Sequence, residues 1–266
     1  MFQRTGARLI GAAAVGAVVV GVGMVFTSCS SDGVDAAQAP TTEYGAAIAV
    51  GNGTGRSYQV VQNGAPIELG MALSQGALDS LPSAPKMGGY EYLLPLPSSN
   101  LTQYQVIGLN WNPTGHPPAG VYNVPHFDFH FYMVSLAERN AIDPSDPAFA
   151  SDAANLPGAA FSLANYHADP PANAVPHMGL HWTDSTAAEF HGQPFTRTYI
   201  VGSWNGRFIF AEPMVARSYL LTHPDEVVPV GSTSQRAIAG YYPSGYRVSW
   251  DAVDAEWHVA ITGLSH

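Results

Sequence analysis

The sequence predicts a mainly β fold with few short helices, built as one antiparallel β-barrel or sandwich-like domain, and three observations point there. Its 266 residues include 21 prolines and 27 glycines, scattered so that long helices have little room and short strands joined by turns are favoured. Asn205-Gly206 separates two apolar runs in TYIVGSWNGRFIFAEPM, the pattern of a two-residue hairpin. In PHFDFHFY, residues 125–132, polar and aromatic residues alternate with the period of a strand.

The elements follow in order from the N-terminus. Arg4 and Arg8 precede an uncharged run from Leu9 to Phe26, and small residues surround Cys29. That is the layout of an export signal over residues 1–28. Phe26-Thr27-Ser28-Cys29 resembles a bacterial lipobox, which implies cleavage before Cys29 and attachment of diacylglycerol to it. Cys29 is the only cysteine, so no internal disulfide can form in the exported chain. The alternative is an uncleaved N-terminal transmembrane anchor. Residues 29–42 read as a flexible tether and 43–266 as the folded domain.

Arg4 and Arg8 are the only charged residues of the signal, so its removal takes the formal charge from −10 to −12. Such a field repels phosphate backbones and argues against nucleic-acid binding. Charged residues make up only 11% of the chain, as expected of an extracytoplasmic surface covered by Ser, Thr, Asn and Gly.

Within the domain, YGAAIAV (44–50) and RSYQVVQ (56–62) form a hairpin about a glycine-rich turn, and MALSQGALDSLP (71–82) reads as a short helix ended by Pro82. YEYLLPL (90–96), YQVIGLNW (104–111) and HFDFHFYMV (126–134) read as strands. Ser135 and Glu138 form a capping box that opens a short helix in SLAERNAI. It begins a loop and helix excursion over residues 135–176. A two-residue turn at Asn205-Gly206 pairs Trp204 with Arg207 and, counted back, Tyr199 with Glu212, with Val201, Ser203, Phe208 and Phe210 on that face. YRVSWDA and EWHVAITGL form a last hairpin.

Seven of the ten histidines lie between residues 116 and 191. On the 126–132 strand His126, Asp128, His130 and Tyr132 share one face, while Phe127, Phe129 and Phe131 face a core. Imidazole with carboxylate is a donor set for Zn²⁺ or a similar divalent metal. Residues four apart on a strand stand about 13 Å apart, so one ion takes two ligands from this strand and needs more from elsewhere. His181 and Glu212 are the expected completing ligands, with His116, His177 and Tyr199 in support. A metal-free network of hydrogen-bonded histidines is the competing expectation.

Three motifs in order, GLNWNPTGHPPAGVYNVPHFDFHFY, VPHMGLHW and YIVGSWNGRFIFAEPM, resemble an uncharacterised family of exported bacterial proteins, a domain of unknown function. The resemblance runs from about Tyr44 to Leu264. The family prototype is under extracytoplasmic-function sigma and anti-sigma control, which implies an envelope or stress-associated protein and assigns no catalytic residues. The expected function is a lipid-anchored envelope protein whose His/Asp/Glu cleft serves a non-catalytic binding or assembly role. Its partners are the membrane through Cys29, a small-molecule ligand or an envelope protein, and further copies of the chain. The alternative is a metal-dependent extracytoplasmic enzyme acting on a small substrate through a metal-bound water.

Overall fold

The computed structural model describes residues 38–266. The expected signal (1–28) and Cys29 lie outside the described residues. Fourteen strands form two antiparallel sheets among the described residues. In chain order they are β1 (Thr41–Tyr44), β2 (Ile48–Val50), β3 (Gly53–Gln62), β4 (Ala65–Ser74), β5 (Tyr90–Leu94), β6 (Val106–Asn112) and β7 (His126–Tyr132). Two short helices follow, α1 (Leu136–Asn140) and α2 (Phe149–Ala154). Then come β8 (Tyr166–Ala168), β9 (Leu180–Asp184), β10 (Arg197–Trp204), β11 (Arg207–Ala216), α3 (Arg217–Leu220), β12 (Asp225–Pro229), β13 (Gly245–Asp251) and β14 (Glu256–Thr262).

The first sheet has the order β1-β3-β4-β14-β13-β12, with β2 also paired to β3. The second has the order β5-β6-β7-β11-β10-β9-β8. Neither sheet closes on itself, so the fold is sandwich-like and the barrel alternative is discarded. Strand β11 joins two halves of the second sheet, β5 to β7 on one side and β8 to β10 on the other.

Alternation decides which residues fill the space between the sheets. Leu69, Met71 and Leu73 of β4 and Trp257, Val259 and Ile261 of β14 meet Leu109, Trp111, Phe127, Phe129 and Phe131 of β6 and β7 in one apolar cluster. The three phenylalanines are fully buried, and burying each contributes roughly 1.5–3 kcal/mol. This pattern corrects the expected helix over 71–82. Met71–Ser74 belong to β4, paired on both sides with β3 and β14, and only a 3₁₀ turn at Gln75–Leu78 is helical. A buried strand wins there because Leu69, Met71 and Leu73 satisfy a period of two between paired neighbours. β1 begins at Thr41, inside the stretch expected to be tether, because Thr41 and Thr42 pair with Val61 and Val60.

The capping box forms as expected: Glu138 N–H donates to Ser135 Oγ, and the Glu138 carboxylate accepts from the Ser135 N–H. Trp204 pairs with Arg207 across Asn205-Gly206, both of which take positive φ (44° and 83°). Beyond the turn the register departs from the simple count. A bulge between Gly202 and Ser203 shifts the pairing by one residue, so Tyr199 faces Pro213, and Glu212 faces Ile200. Phe208 therefore packs into the core between the sheets, and Phe210 turns to the outer face of the second sheet.

Candidate metal centre

The outer face of the second sheet is polar along one strip. Alternation places His126, Asp128 and His130 of β7 there, with Asn110 and Asn112 directly across on β6 and Glu212 on neighbouring β11. Loops cover the strip. One small apolar cluster, with Val106, Tyr132, Ile142, Met178 and Phe210, closes one end, and a second, with Tyr122, Phe195, Ile200 and Met214, closes the other. His126 and His130 are 0% exposed and Glu212 1% as a result.

The expected single cluster divides into two triads, His116/His126/Asp128 and His130/His181/Glu212. In the first, His126 Nε2 lies 3.1 Å from Asp128 Oδ1 and His116 Nε2 lies 3.8 Å from Asp128 Oδ2. His126 Nδ1 is 2.7 Å from the Val124 carbonyl, and His116 Nδ1 is 2.7 Å from the Pro117 carbonyl. A carbonyl only accepts, so each Nδ1 carries a proton and each Nε2 is turned toward the carboxylate. Asn112 Nδ2 donates to Asp128 Oδ2 at 2.7 Å and fixes the carboxylate in turn. Carbonyl-anchored imidazoles and a braced carboxylate are how metal ligands are held in orientation. His116, expected only in support, is a full member of this triad, and its ring is 35% exposed.

In the second triad, Glu212 Oε2 lies 3.4 Å from His130 Nε2 and 3.7 Å from His181 Nε2. Phe210 sets its edge against both imidazoles, and Tyr132 stacks on His130 at 5.3 Å. Gly202, opposite His181, makes room for this: a Cβ there would stand 1.9 Å from the Phe210 ring.

Polar atoms without hydrogen-bond partners gather on this strip. They are His126 Nε2, Asp128 Oδ1, both ring nitrogens of His130, Glu212 Oε2, Asn110 Oδ1 and Tyr132 OH. Each such buried atom costs about 1–3 kcal/mol if nothing satisfies it. Among themselves these residues leave those atoms unpaired, so a cation or further polar partners must complete them. Donors 2.0–2.1 Å from a tetrahedral zinc stand about 3.3 Å apart, and the four imidazole-to-carboxylate distances straddle that value.

Electrostatics separates the triads. Burial would raise the Asp128 pKa, but the His126 and His116 rings outweigh it and hold the carboxyl well below its usual range. Burial pulls His116 down, and the Asp128 carboxylate more than reverses this, so its pKa is raised. In the second triad burial dominates. It lowers His130 to about 3 and His181 to about 4, and with the nearby Asp128 charge it pushes Glu212 well above the usual carboxylate range. Asp169, next to the strip through its backbone bond to the His181 carbonyl, is also raised by burial.

Two expected residues are not in the site. Tyr199 faces the core between the sheets, stacked on Tyr246 at 5.7 Å, because the bulge puts it on the opposite face from Glu212. His177 lies in the turn before β9, with its N–H bonded to the Ile142 carbonyl and its side chain near Asp143. Asn110 and Asn112 are strip residues to which the sequence reading assigns no functional part. Their signal is parity, since they alternate with Leu109 and Trp111 on a buried strand.

The family described as TTHB210-like, Hypothetical protein TTHB210, matches residues 61–111. That stretch runs from the end of β3 into β6 and contains none of the six triad residues. No curated protein and no solved structure matches the chain.

Proposed function

We propose that the chain is a divalent-metal-binding protein of the cell envelope, with its principal centre at His116, His126 and Asp128. The observation that supports this reading is the locking of both Nδ1 positions by backbone carbonyls, which presents two Nε2 lone pairs to one braced carboxylate. Two imidazoles and a carboxylate suit Zn²⁺ and related borderline ions. An imidazolium proton can serve the Asp128 carboxylate at one ring only, whereas a divalent cation engages all three donors together. Two imidazoles and one carboxylate would leave a tetrahedral ion one ligand short, as in sites that bind or activate a molecule at the metal, and His116, its ring 35% exposed, is the most exposed of the three. The reading is of a binding module, with chemistry through a metal-bound water as the second use of the same geometry.

The test is elemental analysis of the full chain, purified without a histidine tag, beside His126→Ala and His116→Ala variants. Near-stoichiometric metal in the parent and its loss in both variants is the expected result. A parent that stays metal-free after incubation with Zn²⁺, Co²⁺ or Fe²⁺ would sink the proposal. The envelope address rests on the sequence around Cys29. Among the described residues no helix is long and apolar enough to cross a membrane. If the lipid at Cys29 is the anchor, Cys29→Ser moves the protein out of the membrane fraction, and unchanged fractionation refutes that anchor.

A further inference from the structure

We infer that His130, His181 and Glu212 form a second metal position, distinct in chemistry from the first and one pleat along the same strand. The inference rests on the metal-binding reading of the strip but has its own observations. Three strands that are far apart in sequence, β7, β9 and β11, deliver one donor each to a common point. Side chains two apart on one face of a strand stand about 6.6 Å apart, so Asp128 and His130 head two adjacent centres rather than one shared centre.

The donors are orphaned more completely here than in the first triad. Neither ring nitrogen of His130 has a partner, and Glu212 Oε2 has none either, at 0% and 1% exposure. A neutral Glu212 donating to His130 is the simplest way to satisfy these atoms without a metal. It fits poorly: the separation of 3.4 Å is long for an O–H donor, and one proton cannot also serve His181 Nε2, 3.7 Å from the same oxygen. A metal takes both Nε2 atoms and Oε2 at once, in the two-histidine, one-carboxylate set that leaves further positions open.

The two positions differ in access. His116 gives the first a ligand at the solvent edge, whereas His130, His181 and Glu212 are sealed under Phe210 and Tyr132, with His181 only 16% exposed. The inner position therefore exchanges its ion slowly and holds it through a brief chelator wash, while the outer position exchanges freely. The chain carries one structural ion and one exchangeable ion.

The test is a titration of the metal-free full chain with Co²⁺, read by bound metal after desalting and by the visible ligand-field bands. Two equivalents, with two spectral components that differ in chelator sensitivity, are expected for the parent. Glu212→Gln, which keeps size and hydrogen bonding, and His181→Ala should each retain one equivalent and lose the slowly exchanging component. The His116→Ala, His126→Ala double variant should lose the fast one. If His181→Ala does not fold, Glu212→Gln decides alone. One equivalent in the parent, unchanged by Glu212→Gln, overturns the second position and leaves the first standing. No metal in any sample overturns both.

Discussion

The outer faces of the two sheets both carry charged side chains, and they treat their carboxylates in opposite ways. On the first sheet Glu256 accepts from Arg56 at 2.9 Å, and Glu68 accepts from Arg247 at 3.1 Å and from Tyr58 OH at 2.8 Å. Each of these two acids has a guanidinium. On the second sheet Asp128 and Glu212 have only imidazoles within ion-pair distance among the described residues. Burial keeps His130 and His181 neutral at ordinary pH, so they supply no charge to Glu212. An arginine supplies a permanent charge to its carboxylate, whereas an imidazole supplies one only when protonated, and that difference underlies the metal-binding proposal.

The contrast is broken most decisively by stability with and without metal. At a free Zn²⁺ concentration about 1,000 times the dissociation constant, binding to the folded chain alone raises the unfolding free energy by about 4 kcal/mol per site. Denaturant unfolding with zinc and with chelator should show an increment of at least that size. Asp128→Asn should remove the share of the first position, and Arg247→Met, on the other face, should leave the increment untouched. A parent chain equally stable in zinc and in chelator would show that the two faces do not differ in this respect.

A smaller effect sharpens the same contrast from within the second sheet. Gly202→Ala places a methyl group 1.9 Å from the Phe210 ring, which lies against both His130 and His181. Overpacking of this kind costs about 1–3 kcal/mol. The displaced ring should also reduce occupancy of the inner position while the outer one fills normally. Wild-type stability together with wild-type metal content in this variant would mean that the ring does not shape the site.

Much of this was legible because strand parity is a rigid rule. PHFDFHFY sorted into a phenylalanine core face and a His/Asp face from spacing alone, and the structure keeps both. Asn205-Gly206 fixed a turn, and Ser135 with Glu138 fixed a helix start, because each device is local. Two things were not legible. The bulge at Gly202 reverses which face Glu212 shares with Tyr199, and no turn rule counts an extra residue four positions away. The division of one cluster into two triads depends on how far β6, β9 and β11 stand from β7, which is a property of the whole sheet. His116, in a loop without period, could be singled out only by its composition.

The place of β11 in the second sheet has a consequence for how the centre comes into being. It is the last strand of that sheet to be synthesised, it joins the two halves, and it carries Glu212. The triad donors are spread from residue 116 to residue 212: the first triad falls within residues 116–128, whereas the second draws on residues 130, 181 and 212. Pairings of such long sequence separation form slowly and together. A growing or unfolded chain therefore offers a metal two or three loosely placed donors, while the finished fold offers two complete sets. The arrival of β11 thus completes the inner triad, while the first triad owes nothing to that strand.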